Sequence, residues 1–415
     1  MSRKSFPAKT LGNSQMKTLF SQQSQSMAAF ALLLIISSQS LAGSKDVAAV
    51  KRPNILFIMA DDHGSGAISA YGSRLMKTPN IDSLAMQGMR FNSSFVTCSI
   101  CIPSRAVLIT GKYNHINGVE TFENKFDGTQ MTFPKLLQKS GYATGITGKW
   151  HLKSKPEGYH YWKVLPGQGR YHNPQWITQG GKNTQQGFVT DIIANETIEF
   201  IKKAEESGRP FMFMCHFKAP HTRHDYHPRY EKEFAEDLPY PPTFNDNYKT
   251  RQLASHAAWW TQIEDMAHHV KRKPPKDLKD PAELRKWYYQ EFFKGYLRLV
   301  RGVDDNVGRI MQYLKSSGLN RNTLDIYTSD NGFFIGDHGW FNKMWMYEQS
   351  LKVPLIVCFP NHIKPSINHD DMVLNLDLAP TILDFAQTQI PDDMQGRSMK
   401  DILLGNTPDD WRQSI

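Results

Sequence analysis

The sequence predicts an α/β fold in which a doubly wound, mixed but mostly parallel sheet is flanked by helices. Three observations predict it. Dense apolar runs recur at Asn54 to Met59, Phe211 to Phe217, Leu324 to Thr328 and Val353 to Phe359, and such runs suit strands buried on both faces. Segments with helical apolar spacing lie between them, at 78–85, 133–140 and 191–204, an alternation that argues for βαβ units. Acidic residues follow two of the strands directly, as Asp61-Asp62 in "FIMADDHG" and Asp330-Asn331 in "DIYTSDNG", and ligands of open α/β sheets bind beyond the carboxyl ends of strands.

The elements can be justified in chain order. Arg3, Lys4, Lys9 and Lys17 precede an apolar run from Met27 to Ile36 and then Ser40-Leu41-Ala42, which reads as a signal peptide of residues 1–42 and a periplasmic or secreted protein. The run is too short for a membrane span, and no other segment approaches the ~20 apolar residues that one needs. A first strand follows at Asn54. The helix after it opens with Pro79 and closes at Gly88. Another helix is expected to start at Pro103, run to Thr110 and stop at Gly111. Between His221 and Leu284 proline, histidine and mixed charge replace any period, and "KRKPPK" at Lys271 to Lys276 reads as a solvated loop, so this stretch is expected to be a surface insertion. A long helix from Glu283 toward Ser316 and the last two strands complete the pattern.

Composition narrows the function. Aromatic residues at 12% and charged residues at 21% describe a globular chain. Removing residues 1–42, with four Lys/Arg and no Asp/Glu, takes the formal charge from +9 to +5, a mild balance compatible with a polyanionic substrate. No clustered basic helix or zinc-finger spacing points to nucleic acid. Four cysteines, Cys98, Cys101, Cys215 and Cys358, are too few for a disulfide-stapled scaffold of this length.

Asp61, Asp62, Asp330 and Asn331 form an oxygen-rich set at equivalent strand ends. Either pair alone is ordinary turn chemistry; together they suit Ca²⁺ or Mg²⁺ far better than zinc. The pair Cys98-x-x-Cys101 is compatible with a redox or metal pair, with a disulfide, or with one cysteine set apart for other chemistry. A helix running to Thr110 puts Cys101 at its N-terminus, where free N–H groups favour an oxyanion. Arg105 lies one turn further on.

The stretch Cys101-Ile102-Pro103-Ser104-Arg105, followed by Thr110-Gly111-Lys112, resembles the C-x-P-x-R and T-G-[RK] hallmark of the type I sulfatases of the alkaline-phosphatase superfamily. Cys98 does not match, because Ile100 stands where the pattern needs proline. Further resemblance lies in "GITGKWHL" with Lys149 and His151, "FKAPH" with His221, "SDNG" with Asp330 and Asn331, and "WFNKMWMYEQSLKVPLIV" with Lys343. It spans about Pro53 to Leu404, the expected catalytic domain. The resemblance implies an alkaline-phosphatase-like fold and conversion of Cys101 to formylglycine (3-oxoalanine) by a formylglycine-generating enzyme, the hydrated aldehyde being the nucleophile. It also implies a metal, Ca²⁺ with Mg²⁺ as the alternative, held by Asp61, Asp62, Asp330, Asn331 and the modified Cys101. Arg105 and His151 would orient the nucleophile, Lys149 and Lys343 would neutralise the sulfate, and His221 would protonate the leaving alcohol.

The segment "GYHYWKVLPGQGRYHNPQW" resembles a stretch of sulfatases acting on sulfated glycans, including N-acetylglucosamine-6-sulfatases. By that resemblance Trp162, Gln168, Arg170, His172 and Asn173 would contact a sugar, with Arg223 and His224 near the leaving group. The expected substrate is a sulfated carbohydrate, either a polysaccharide-derived oligosaccharide or a 6-sulfated amino sugar. A phosphonate or phosphodiester hydrolase using the same nucleophile and metal is the second reading, and a non-catalytic glycan binder the third. Relatives of this type continue into a small antiparallel subdomain, so residues 405–415 are expected to be its reduced or truncated start.

Overall fold

The computed structural model describes residues 52–258 and 262–415. The expected leader at 1–42 lies outside the described residues. The ten strands of the central sheet are β1 (Asn54–Asp61), β2 (Met89–Phe91), β3 (Ala143–Lys149), β4 (Tyr161–Leu165), β5 (Gln175–Thr178), β6 (Gly181–Thr184), β7 (Phe211–Pro220), β8 (Thr323–Ser329), β9 (Leu355–Cys358) and β10 (Ile367–His369). They lie in the order β10-β2-β9-β8-β1-β7-β3-β4-β5-β6. The five from β8 to β4 are mutually parallel. Antiparallel pairings enter on either side, at β8–β9 and β4–β5.

The continuous apolar runs become strands here because both faces of the sheet are covered. Every residue of β1 is buried. Its side chains alternate between two cores: Ile55, Phe57 and Met59 face one, Leu56, Ile58 and Ala60 the other, as the two-residue strand period requires. On the first side pack helices α2 (Cys101–Thr110), α3 (Phe133–Lys139) and α6 (Leu378–Phe385); on the second pack α1 (Pro79–Gln87), α4 (Val189–Glu206) and α5 (Pro281–Ser316). Burying one Leu, Ile or Phe contributes roughly 1.5–3 kcal/mol, so this two-sided burial is the main force holding the strand ends in register.

Local signals place the helix ends. Asp280 caps α5, its side chain accepting from Glu283 N at 2.9 Å, with Pro281 in the first turn. Gly111 ends α2 in the left-handed region at φ 64°, as its lack of a Cβ allows. The start of α2 differs from the expectation. It begins at Cys101, and Pro103 is its third residue. Proline is tolerated there because first-turn N–H groups have no partner within the helix in any case.

The stretch 221–284 also corrects the sequence reading. It contains the short turns Pro228–Tyr230 and Ile263–His268 and the four-residue helix Leu253–His256, and it is more than surface elaboration. Leu238, Phe244, Ile263 and Met266 are buried against Tyr289, Phe292, Phe293 and Tyr296 of α5. The aromatic first half of α5 makes this cover necessary. Lys271 to Lys273 and Lys276 are exposed, as expected. Near the end of the chain Trp411 is buried, donating from Nε1 to Met372 O at 2.9 Å. Among the described residues no helix is long and apolar enough to cross a membrane.

Candidate active site

Adjacent parallel strands β1 and β8 end side by side, with Ala60 opposite Ser329, and this brings Asp61-Asp62 against Asp330-Asn331. Asp62 N donates to Asp330 Oδ1 at 3.1 Å, and Asn331 Nδ2 donates to Asp62 Oδ1 at 2.7 Å. Strand β3 ends on Lys149, and β7 ends one residue before His221. Helix α2 points its first residue, Cys101, into the same place, with Sγ 3.6 Å from Asp61 Oδ1. Oxygen atoms of Asp61, Asp62 and Asp330 and Sγ of Cys101 all lie within 4.8 Å of one another, and all four residues are buried.

Cations surround this cluster. Lys149 Nζ is paired with Asp61 Oδ2. Lys343 Nζ contacts Asp62 Oδ1 and Oδ2 at 2.5 and 2.6 Å. Arg105 donates from Nε to Asp330 Oδ2 at 3.0 Å, with Nη2 2.9 Å from the same oxygen. His221 brings Nε2 to 3.7 Å from Asp62 Oδ2, while its Nδ1 is 2.7 Å from Thr222 O. Because a carbonyl only accepts, Nδ1 carries a proton and Nε2 is the nitrogen turned to the cluster.

The electrostatics follow from burial and neighbours. Burial pushes the Asp61 carboxyl up, but Lys149, Arg105 and Lys343 together outweigh it and bring it down to about 2. Asp62 is raised, chiefly by burial, with Lys343 opposing and the neighbouring carboxylates adding. Burial also raises the Cys101 thiol, so as an unmodified residue it is neutral and a poor nucleophile. His151 falls to about 2 through burial and then the nearby Lys149 and Arg105. His221 is driven well below its ordinary value by burial, then by Lys149, Lys343 and Lys218.

All the residues expected to act on the reacting group and metal are thus found together. The expected sugar contacts divide. Trp162, only 5% exposed, belongs to the core on the α2 and α3 side of the sheet, because its place on β4 turns it inward. It offers no aromatic face to a sugar. His224 is likewise buried, its ring 4.4 Å from that of Phe292 and 5.8 Å from that of Tyr296, which corrects the expectation that it meets the leaving group. Asn173 holds its loop closed by accepting from Gly187 N at 2.9 Å. His172 lies against the Phe188 ring at 5.4 Å. Gln168 has a buried Oε1 without a partner among the described residues, and Arg170 and Arg223 are exposed.

Three residues of the site were not singled out from sequence. Tyr171 donates from its hydroxyl to His221 O at 2.5 Å, which joins the 168–173 loop to the site. His216 Nδ1 lies 3.3 Å from Arg105 Nη1 and 3.2 Å from Lys149 O. Lys218 is buried beside Tyr171; burial lowers its ammonium to about 8, against an opposing pull from Asp61. The signal for the last two was present. Polar His216 and Lys218 interrupt "FMFMCHFKAPH", and a charge in a strand buried on both faces needs a reason.

A buried cluster of carboxylates ringed by cations at strand carboxyl ends defines a site for an anionic ester. The chain belongs to the sulfatase family: the Sulfatase family model matches residues 53–388. It is 38% identical to an N-acetylglucosamine-6-O-sulfatase of Bacteroides thetaiotaomicron, over 92% of this chain and 77% of that protein. It is 29% identical to the human N-acetylglucosamine-6-sulfatase, over 93% of this chain and 70% of that protein. Among solved structures it is similar to BT4656 in complex with its substrate D-glucosamine-2-N,6-O-disulfate, with a TM-score of 0.81 and 38% identity, covering 87% of this chain and 82% of that one.

Proposed function

We propose that this sulfatase hydrolyses a sulfate ester of a sulfated carbohydrate, specifically a 6-sulfated amino sugar, free or in a polysaccharide-derived oligosaccharide. The observation that carries this reading is the convergence of Cys101, three carboxylates, two lysines and His221 on one buried point. Similarity to N-acetylglucosamine-6-sulfatases over nine-tenths of the chain supports the sugar class.

Asp61, Asp62, Asp330 and Asn331 fit a hard divalent cation. The buried Oδ1 of Asn331 has no hydrogen-bond partner among the described residues, and oxygens of Asp61, Asp62 and Asp330 lie within 4.8 Å of one another, a spacing and hard-donor set that suits one such ion. These residues, with the oxygen of a modified Cys101, would hold Ca²⁺ or Mg²⁺. When bound, the ion supplies stabilisation of negative charge on the sulfate. Conversion of Cys101 by a formylglycine-generating enzyme supplies the nucleophilic hydroxyl, and the protein acts in the periplasm or outside the cell.

The chain's own residues do the rest. Lys149 and Lys343 bind the sulfate oxygens and offset the repulsion between anionic ester and anionic site. Arg105, held on Asp330, and His151 orient residue 101. His221 is neutral before substrate arrives. The negative ester favours uptake of a proton from solvent at Nε2, and the departing alkoxide takes that proton, which returns the ring to its neutral form. Exposed Arg170, in the loop joined to His221 through Tyr171, binds the sugar.

Turnover of glucosamine 6-sulfate, an aryl sulfate and a phosphonate monoester tests this. The mature enzyme is expected to desulfate the sugar, Cys101→Ala to be inactive, and peptide mass spectrometry over Ser99 to Lys112 to show an aldehyde at residue 101. Arg170→Ala is expected to lower kcat/KM on the sugar about 10-fold and to spare the aryl sulfate, a loss of about 1.4 kcal/mol. Faster turnover of the phosphonate would overturn the reading in favour of a phosphonate hydrolase.

A further inference from the structure

A buried ammonium is costly to dehydrate, and proteins offset the cost by pairing it with a carboxylate. Lys218 is 3% exposed. Among the described residues its recorded interactions include no carboxylate ion pair; Nζ lies 4.6 Å from the Tyr171 ring centre and 3.4 Å from Thr222 O. Lys149 and Lys343, by contrast, each hold an aspartate.

The hydrogen bonds and ring contact recorded for Lys218 converge on His221, while Asp61 acts on its ammonium at longer range. Thr222 O, which receives the ammonium, also receives the Nδ1 proton of His221 at 2.7 Å. His221 N donates to Lys218 O at 3.1 Å. Tyr171, whose ring lies under the ammonium, bonds His221 O at 2.5 Å. We propose that Lys218 is a positioning residue for His221: by pinning the Thr222 carbonyl and seating on Tyr171, it keeps the imidazole in the tautomer and orientation that present Nε2 to the reacting centre. Without the ammonium the carbonyl is free to turn, Nδ1 loses its acceptor, and Nε2 is no longer aimed. This inference rests on the reading of His221 as the group that protonates the leaving alcohol.

The test compares a sugar 6-sulfate, whose alkoxide needs a proton, with 4-nitrophenyl sulfate, whose phenolate does not. Wild type, His221→Ala, Lys218→Met, Lys218→Gln and Lys218→Met/His221→Ala are measured on both, with a thermal melt of each variant. Lys218→Met and Lys218→Gln are each expected to lower kcat on the sugar sulfate about 10- to 100-fold with KM nearly unchanged, and to change the nitrophenyl reaction less than about 3-fold. The double variant is expected to match His221→Ala alone, because the two residues act as one unit. Equal losses on both substrates, a change confined to KM, or losses that multiply in the double variant would overturn the role of Lys218. The nitrophenyl reaction also serves as the folding control, since a variant that turns it over normally is folded at its site. If His221→Ala loses both substrates equally while wild type is active, the reading of His221 fails instead. If wild type desulfates neither compound, the proposed activity fails.

Discussion

His224 shows how one residue changes meaning once its surroundings are known. In sequence it stands three positions after His221 and looks like a polar contact; in the fold it is 6% exposed, and its Nε2 has no partner among the described residues. Burial lowers it to about 3, with His269 and Lys218 adding to the effect. Its native pKa therefore lies below the unfolded value of about 6.5, and the unfolded chain binds the extra proton between those limits. Stability falls as pH drops through that window, by about 1.4 kcal/mol per pH unit for this group. His224→Phe is expected to flatten the fall in unfolding free energy between pH 6.5 and 4 by roughly that slope, measured by urea titration at several pH values. An unchanged slope would mean that His224 is already protonated in the native state.

At the scale of elements, the site depends on how closely β3 and β7 approach. Gly148 has φ 99°, and a Cβ built on it would stand 1.8 Å from His216 O. The glycine lets the two strands meet at the point where Lys149 and His221 emerge. Gly148→Ala is expected to destabilise the protein by about 2–4 kcal/mol, from positive-φ strain and overpacking together. It is also expected to lower kcat, because the backbone that carries Lys149 must move. A variant with wild-type melting temperature and turnover would show that the strand pair yields without cost. The cover of α5 by the 221–284 stretch was not legible at this scale. Its apolar residues are scattered without a period, and only the aromatic face of α5 gives them a partner.

For the whole molecule, the cluster of Asp61, Asp62 and Asp330 ties β1 to β8, so a cation bound there stabilises the folded state by mass action. Ca²⁺ at 100 times its dissociation constant is worth about 2.7 kcal/mol. Chelation is expected to lower the melting temperature by several degrees and Ca²⁺ to restore it. Asp330→Ala is expected to melt at the same temperature with and without Ca²⁺. Restoration by Zn²⁺ and not by Ca²⁺ would show that the donor set has been misread as oxygen-rich and hard.

The sequence alone determined the α/β class, the strand ends that carry Asp61, Asp62, Asp330 and Asn331, and the helix N-terminus that carries Cys101. These features are local: strands buried on both faces must be apolar throughout, and Gly111 stops its helix wherever the helix packs. Tertiary structure decided which polar residues are buried together. It sent Trp162 and His224 into the core, began α2 two residues before Pro103, and set Lys218 and Tyr171 behind His221. Those outcomes depend on which face of a strand turns inward and on what lies across from it, and contacts between residues such as 171 and 221 leave no period in the chain.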